Sequence, residues 1–213
     1  MHGVIEFKDV SIKFNDDYIF RNLNLSVNRE DKVLIYGRSG IGKSVLLKML
    51  LGFVMPTEGS IYFEGQPVDS KNVWNLRRKV AYVSQDVDIG SGTVEEMIRR
   101  VFSFKANAHL EYSKTKLAGL FREFKLEEDT LNKSIEDLSG GERQRIAIIV
   151  AIMLERSIYL LDEVTAALDA ELKSKVIKYF VEDPDLTVIA ISHDKEWVRN
   201  EKVRAFNMED VLV

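Results

Sequence analysis

The chain has 213 residues, of which 46% are hydrophobic and 30% charged, a balance that suits one globular domain with a sizeable core. Its formal net charge of −4 excludes a general electrostatic attraction to nucleic acid or anionic lipid, and we expect no nucleic-acid partner. The lack of cysteine in the sequence excludes disulfides, thiolate metal sites and cysteine nucleophiles.

Neither a secretion signal nor a membrane-spanning helix is predicted. The opening residues, MHGVIE, are too few and too polar to form the apolar centre of a signal peptide. The longest apolar run, residues 146–154, would make a helix of roughly 14 Å, whereas a bilayer core is about 30 Å thick. We therefore expect that the chain does not cross a membrane by itself.

Two segments near the N-terminus, residues 4–12 and 23–27, alternate apolar and polar side chains. This period of two is typical of strands with one wet face, and we predict that the two strands pair antiparallel. Phe14 lies between them. From its position alone, it is as consistent with packing at a strand end as with contact to a ligand.

The segment GRSGIGKS, residues 37–44, fits the phosphate-binding pattern G-x-x-x-x-G-K-[ST]. It follows a predicted buried strand, residues 32–36, and precedes a predicted helix, residues 45–51, that a glycine ends. The glycines let backbone N–H groups converge, and the helix N-terminus adds partial positive charge. Lys43 can then contact the β- and γ-phosphates, while the Ser44 hydroxyl binds Mg²⁺. The alternative is a glycine-rich turn without a ligand.

Two further apolar runs predict strands of a sheet. Residues 61–65 follow a predicted turn at residues 56–60, and residues 80–84 lead directly into Gln85. Because the carboxyl ends of strands in an α/β sheet face the ligand crevice, Gln85 is a candidate site residue. A glutamine in such a place more often faces solvent, so this position carries little weight alone.

From residue 93 onward the pattern becomes helical. Thr93 followed by Glu96 predicts a capping box at the start of a helix that runs toward Phe104. Leucines 117 and 120 with phenylalanines 121 and 124 form one apolar helical stripe. We predict a helical subdomain, residues 93–137, inserted in an α/β core of residues 1–92 and 138–213, all within a single domain of residues 1–213.

The segment LSGGERQR, residues 138–145, comes immediately before the apolar run 146–154. A serine and two glycines at a helix start leave a hydroxyl and free N–H groups available, which predicts a second anion site. The alternative is a glycine-containing loop in which Ser139 is an ordinary helix cap.

Two more predicted buried strands end in polar residues. Residues 157–161 lead into Asp162 and Glu163, and residues 186–191 lead into a serine followed by His193. Adjacent carboxylates near a polyphosphate site favour Mg²⁺. Since side chains alternate along a strand, Asp162 can support the metal while Glu163 acts on the attacking water. A single histidine at a strand end is more often structural, but this is the third strand that delivers a polar residue to one crevice.

In this order the motifs resemble those of ATP-binding-cassette ATPases, and the resemblance extends from about residue 4 to residue 207. The motifs in question are the Walker A loop 37–44, Gln85, the signature 138–145, the Walker B segment LLDE at 160–163, AALD at 166–169, and His193. The serine-glycine-glycine signature between Walker A and Walker B is the most specific of them, because most other P-loop proteins lack it.

The resemblance implies how a nucleotide is held. Phe14 would stack on adenine, an interaction worth about 1–3 kcal/mol. The phosphates of ATP would be bound by residues of the Walker A loop and its helix, namely Gly37, Arg38, Ser39, Gly40, Ile41, Gly42, Lys43, Ser44 and Val45. A second subunit would complete the site in trans through its signature residues Ser139, Gly140, Gly141 and Glu142.

The resemblance also implies catalytic and metal-binding roles. Glu163 would be the general base that polarises water, and His193 would contact the γ-phosphate. The implied catalytic residues are Glu163, His193, Gln85 and Lys43, and the implied ligands of Mg²⁺ are Ser44, Gln85 and Asp162. Asp169 would link the two sites of a dimer. The family usually has proline where this chain has Val164, and because proline mainly stiffens the turn, we expect little loss of activity.

The implied fold is α/β: a P-loop NTPase core with a mixed, mainly parallel sheet, an N-terminal antiparallel β part and an inserted α-helical subdomain. The implied function is ATP binding and hydrolysis in an ABC transporter. Two copies, or one copy and a paralogous cassette, would join head to tail around two ATP molecules and drive a polytopic membrane permease. The location would be cytoplasmic, on the inner face of the membrane through that permease.

A narrower resemblance, in residues 132–138, DEVT and SHDKE, is to bacterial metal- or iron-export cassettes. The main alternative function is a soluble ABC ATPase of an assembly system, such as the iron–sulfur-cluster type. DNA-maintenance heads are disfavoured, because no long heptad run interrupts this sequence. A cassette that only binds nucleotide is disfavoured as well, since the residues implied in the chemistry are all present.

Overall fold

The computed structural model describes residues 3–15 and 17–211 of the protein. These residues form nine strands and seven α-helices, arranged as two sheets with helices around them. The strands are β1 Ile5–Phe14, β2 Asp17–Val27, β3 Lys32–Tyr36, β4 Glu58–Phe63, β5 Gln66–Pro67, β6 Val80–Val83, β7 Ile158–Asp162, β8 Thr187–Ile191 and β9 Val203–Asn207. The helices are α1 Lys43–Leu50, α2 Val73–Lys79, α3 Val94–Ser103, α4 Lys114–Glu123, α5 Gly140–Met153, α6 Ala170–Glu182 and α7 Lys195–Arg199.

The smaller sheet has four antiparallel strands in the order β2-β1-β4-β5. The register of β1 and β2 places Phe7 opposite Leu25, and both side chains are buried, as the alternating pattern predicts. The predicted antiparallel pair is confirmed, although β2 begins at Asp17, well before the alternating segment. The predicted turn at residues 56–60 is too long, because β4 already begins at Glu58.

The larger sheet has five strands in the order β6-β7-β8-β3-β9, and all of its neighbouring strands are parallel. Its central strands are buried on both faces, which explains their continuous apolar runs. Since all five strands point the same way, the residues that follow β3, β6, β7 and β8 meet at one edge. Every predicted site residue that follows a buried strand therefore lies along this edge.

Helix α1 occupies the space between the two sheets. Its apolar residues Leu46, Leu47 and Leu50 are fully buried among side chains of the antiparallel sheet and one face of the parallel sheet. Leu51 caps the helix, and Gly52 follows with a φ of 69°, the left-handed conformation that ends many helices. Burial of this helix fixes the direction of its N-terminus, where the phosphate-binding pattern lies.

Helices α3 to α6 cover the opposite face of the parallel sheet in a second hydrophobic core. The predicted capping box of Thr93 and Glu96 is present at the start of α3, and the apolar stripe of α4 is buried. Between α3 and α5 lie α4 and three short 3-10 turns, with one isolated β-bridge between Thr93 and Ser134. The boundaries proposed for a helical subdomain, residues 93–137, stay a prediction.

The α/β fold class predicted from the sequence is confirmed. The antiparallel strands form a separate sheet, and the larger sheet is parallel throughout. Helix α5 begins at Gly140, so the residues ERQR belong to the same helix as the apolar run that follows them. Among residues 3–15 and 17–211, no helix combines the length and the apolar character needed to span a bilayer.

Candidate nucleotide-binding and hydrolytic site

The loop between β3 and α1 has the backbone shape that the phosphate-binding pattern predicts. Gly37, Gly40 and Gly42 all have positive φ angles, of 147°, 79° and 100°. A Cβ atom on Gly42 would lie 2.6 Å from Cγ2 of Ile19, so packing as well as conformation requires glycine there. The exposed residues 38–40 leave the loop open toward solvent, next to the N-terminus of α1. Such a loop favours a bound phosphate.

Lys43 lies beneath this loop and is buried. Its Nζ donates hydrogen bonds to the carbonyl oxygens of Gly37 and Arg38, at 2.8 and 2.9 Å, and lies 3.4 Å from Nε2 of His193. Burial lowers the pKa of Lys43, while the negative charges of Glu163 and Asp162 act in the opposite direction. These two carbonyl oxygens hold the lysine at the loop.

Ser44 and Asp162 bring two oxygen ligands together. Oγ of Ser44 donates a hydrogen bond of 3.1 Å to Oδ1 of Asp162, and the Tyr82 hydroxyl lies 3.5 Å from Oδ2. Burial raises the pKa of Asp162, opposed by these hydroxyl contacts, and burial beside Asp162 raises the pKa of Tyr82 to about 12. The Asp162 carboxylate and the Ser44 hydroxyl are both hard oxygen ligands. Such a set fits Mg²⁺.

The adjacent residue Glu163 has a different neighbour. Its Oε1 lies 3.5 Å from Nε2 of His193, and its backbone N–H donates to the carbonyl of Ile191 at 2.9 Å. Glu163 has a φ of 49°, an unfavourable backbone conformation for a residue with a Cβ, of the kind that occurs at functional sites. The two carboxylates thus turn toward separate groups, Asp162 toward Ser44 and Glu163 toward His193.

Two of the predicted site residues, Gln85 and Phe14, are exposed. Gln85 is exposed in the bend that follows β6, and within the described part of the chain no hydrogen bond joins its side chain to Ser44 or Asp162. Phe14 ends β1 and is 51% exposed, opposite Asp17 of the next strand. Neither position tests the roles that the resemblance implies, so both assignments stay predictions.

The signature segment is built as a helix cap. Ser139 caps α5, where its Oγ accepts the N–H of Glu142 at 3.2 Å, and its own N–H donates to the Glu142 carboxylate at 2.9 Å. Hydrogen bonds from the Ser139 hydroxyl and N–H, together with Lys133 at 3.0 Å, lower the pKa of Glu142 to about 2. Ser139 and Gly140 are exposed. A Cβ on Gly141 would lie 3.3 Å from the carbonyl oxygen of Ala167.

The structure adds residues that the sequence patterns did not indicate. Tyr82 contacts Asp162, and a carboxylate oxygen of Glu209 accepts the backbone N–H of Arg38 at 3.2 Å. Met208 lies against Gly37, because a Cβ on that glycine would be 3.4 Å from the methionine Cβ. Glu209 is 171 positions from Arg38 and belongs to no local motif, so only the packing of β9 beside β3 places it there.

Comparison with known proteins identifies the family. Residues 20–166 match the sequence model of the family described as ABC transporter, which covers more than half of the chain. The chain belongs to this family. Its members are ATPases, and the chain is accordingly an ATP-binding cassette that hydrolyses ATP.

Individual relatives agree with this membership. The probable iron export ATP-binding protein FetA of Escherichia coli (strain K12) is 32% identical, over 92% of this chain and 88% of the relative. The energy-coupling factor transporter ATP-binding protein EcfA1 of Oceanobacillus iheyensis is 28% identical, over 96% and 75%. A solved structure of a bacterial ABC transporter cassette, described as dimeric, matches with a TM-score of 0.79 and 26% identity, over 96% of this chain and 94% of the cassette.

Proposed function

We propose that this cassette is the ATP-hydrolysing subunit of a membrane transporter, and that two cassettes join head to tail around two ATP molecules to drive a polytopic membrane permease. One observation carries the proposal: Lys43, Asp162, Glu163 and His193 meet beside the phosphate loop, while the signature helix presents its N-terminus to solvent. The first group suits hydrolysis, and the second suits contact with another subunit's nucleotide.

In the proposed reaction the protein positions groups and stabilises charge. Lys43 already lies at the loop and would exchange its carbonyl contacts for oxygens of the β- and γ-phosphates. Glu163 would accept a proton from the attacking water, and His193, 3.5 Å from it, would hold the γ-phosphate side of the site. Ser44 and Asp162 would hold Mg²⁺, which supplies positive charge to neutralise the phosphate oxygens when it is bound.

The dimer is supported by the exposure of the signature. Ser139 caps its own helix and its O–H donates to the Glu142 carboxylate at 2.7 Å, so the donors open to a second copy are the backbone N–H groups beside the exposed Gly140. The start of α5 also carries the partial positive charge of a helix of 14 residues. A triphosphate bound to the Walker A loop of another copy would satisfy these groups, which gives ATP two protein surfaces to bridge.

A membrane partner is supported by the relatives, whose names describe ATP-binding proteins of iron export and energy-coupling factor transport. It is also supported by one surface of this chain. The Arg77 guanidinium lies 4.5 Å from the ring centre of Phe53 and 5.0 Å from that of Trp74, and both rings are more than half exposed. A neighbouring cavity of about 780 Å³ is lined by Arg78 and Lys105 among other basic residues. We assign this pair of exposed rings as the surface that contacts the membrane partner.

The proposal is tested by purifying the tagged chain from detergent-solubilised membranes of its source. We expect a polytopic membrane protein to purify with it and to raise its ATPase rate, and we expect Trp74→Ala to lower this recovery while the isolated chain keeps its basal ATPase rate. Recovery of soluble assembly proteins, with no membrane protein, would instead favour the soluble ABC ATPase of an assembly system. No particular cargo is proposed.

A further inference from the structure

The turn that carries His193 is fixed on both sides of that residue. Ser192, which is buried, accepts the backbone N–H of Asp194 on its Oγ at 3.0 Å. Oδ1 of Asp194 accepts the backbone N–H of Glu196 at 3.3 Å and so caps α7. The imidazole of His193 itself remains half exposed, so its position depends on this short turn rather than on packing around the ring.

The second carboxylate oxygen of Asp194 faces helix α6. Oδ2 is buried, and within residues 3–15 and 17–211 it has no hydrogen-bond partner. The Lys173 ammonium lies 3.3 Å from it, with both side chains largely shielded from solvent. The ion pair is thus the interaction that offsets the burial of this oxygen. Because removing one member of a shielded pair leaves the other charge uncompensated, the pair constrains where Asp194 can lie.

Lys173 also connects this turn to the AALD segment. Its backbone N–H donates to the carbonyl oxygen of Asp169 at 2.9 Å, and Oδ1 of Asp169 caps α6 by accepting the N–H of Leu172 at 2.9 Å. Lys173 and Asp169 therefore belong to the same hydrogen-bonded first turn of α6. Hydrogen bonds of this turn and the ion pair thus form a continuous set of contacts from Asp169 to the residue after His193.

These groups share one cavity with the hydrolytic residues. A space of about 380 Å³ is lined by Glu163, His193, Lys173 and Asp194, together with residues of the turns that carry them. The ion pair therefore lies beside the contact of 3.5 Å between His193 and Glu163. A change in the pair alters the wall of the space into which the attacking water would enter.

We propose that Lys173 and Asp194 are positioning residues for ATP hydrolysis, which hold His193 beside Glu163 and link its position to Asp169. This inference rests on the role proposed above for His193. It assigns the pair no contact with ATP. Its effect falls on the rate of hydrolysis, because a reacting group displaced by a fraction of an ångström slows catalysis while the Walker A loop continues to bind nucleotide.

The test uses the full chain and measures kcat, KM and ATP affinity. Asp194→Asn keeps a good helix cap but removes the charge, and Lys173→Met removes the charge from the other side. We expect each to lower kcat about tenfold, with KM and ATP affinity within about twofold, and the double variant to be no slower than either single one. Lys173→Arg should restore most of the rate. The matched control is Lys178→Met, on the same helix, whose ion pair with Glu182 is exposed.

An unchanged kcat in both single variants would overturn the inference, and so would losses that multiply in the double variant. A fall in ATP affinity equal to the fall in kcat would also overturn it, since that indicates a general structural role. A further variant, His193→Ala, distinguishes a failure of this inference from a failure of the proposed function. If His193→Ala is inactive while Lys173→Met is fully active, only the pair is wrong. If His193→Ala hydrolyses ATP normally, the role proposed for His193 is wrong.

Discussion

Ser44 and Asp162 are 118 positions apart in the sequence, yet the Ser44 hydroxyl donates a hydrogen bond of 3.1 Å to the Asp162 carboxylate. This bond joins the first turn of α1 to the carboxyl end of β7, and therefore joins the phosphate loop to the acidic pair. Burial of α1 between the two sheets is what fixes the distance. The residues proposed for nucleotide binding and for hydrolysis thus lie together because α1 and β7 are both buried.

Lys43→Ala should weaken ATP binding at least tenfold. The substitution removes the charge that would contact the phosphates, and charge-assisted hydrogen bonds contribute about 1.5–3 kcal/mol each. It also removes the two hydrogen bonds from Nζ to the loop carbonyls. Titration with a fluorescent ATP analogue measures the effect, and Lys48→Ala, an exposed lysine of the same helix, is the control. An unchanged affinity of the Lys43 variant would mean that the loop does not bind phosphate.

The phosphate loop is the part of the site that the sequence predicts best. Its glycines specify a backbone shape, and the strand before it and the helix after it are strongly patterned, so local residues determine the geometry. The ends of β7 and β8 were predictable for the same reason, because both strands are continuous apolar runs. Asp162 ends β7 and faces Ser44, whereas Glu163 follows the strand with a φ of 49°, so the turn rather than strand alternation directs it toward His193.

Phe14→Ala should weaken the binding of ATP and ADP by the same factor, because both carry the adenine ring. Stacking worth about 1–3 kcal/mol corresponds to a loss of roughly 5- to 150-fold. Phe14 is 51% exposed, so its removal creates no cavity in the core and should leave stability unchanged. Phe53→Ala, an aromatic that is 62% exposed, serves as the control. A loss confined to ATP, or no loss, would reduce Phe14 to a packing role at the end of β1.

Glu142→Gln should destabilise the protein in a pH-dependent way. Glutamine keeps the capping geometry, so the difference isolates the carboxylate charge. The pKa of Glu142 is lowered to about 2 in the folded protein, below its ordinary value of 4.5, so its stabilisation is present above that ordinary value and is lost as the pH falls toward 2. Since the group is near the surface, we expect at most about 1 kcal/mol.

Urea unfolding of Glu142→Gln and the unmodified chain, compared from pH 7 to pH 3, measures this effect. The separation between their midpoints should be largest near pH 7 and should narrow as the pH approaches 3. Lys133→Met should reduce the separation, because Lys133 is 3.0 Å from the carboxylate. A separation that is the same at every pH would show that hydrogen bonding by the side chain, rather than its charge, stabilises the start of α5.

The parts of the site that sequence reasoning missed depend on contacts between distant segments. Glu209 supports the backbone of Arg38 from the far end of the chain, and Lys173 pairs with Asp194 from a different helix. A single carboxylate or lysine on a polar surface has no periodicity and no motif, so no local pattern distinguishes it from a solvated side chain. Only the order of strands, with β9 beside β3, brings Glu209 to the loop.

Glu163→Gln should slow hydrolysis by roughly 10²–10⁴-fold and leave ATP binding intact, because the amide keeps the shape but cannot accept the proton of water. ATP that is bound but not hydrolysed is then a ligand shared by two copies, and it should stabilise their dimer by mass action. Adding Ser139→Arg places bulk and charge at the exposed start of α5. The double variant should bind ATP through its own Walker A loop and remain monomeric.

Light scattering of both variants at matched concentration, with and without ATP, measures the dimer, and Lys178→Met in the Glu163→Gln background, a change to an exposed lysine away from the signature, is the control. If Glu163→Gln alone stays monomeric with saturating ATP, the isolated chain does not form the proposed head-to-tail pair. If the double variant still dimerises, Ser139 does not contact the partner's nucleotide. Loss of the dimer together with loss of ATP binding would mean that Ser139→Arg disturbs the whole fold, because Ser139 caps α5 and lies outside the Walker A loop proposed to bind ATP in the same copy.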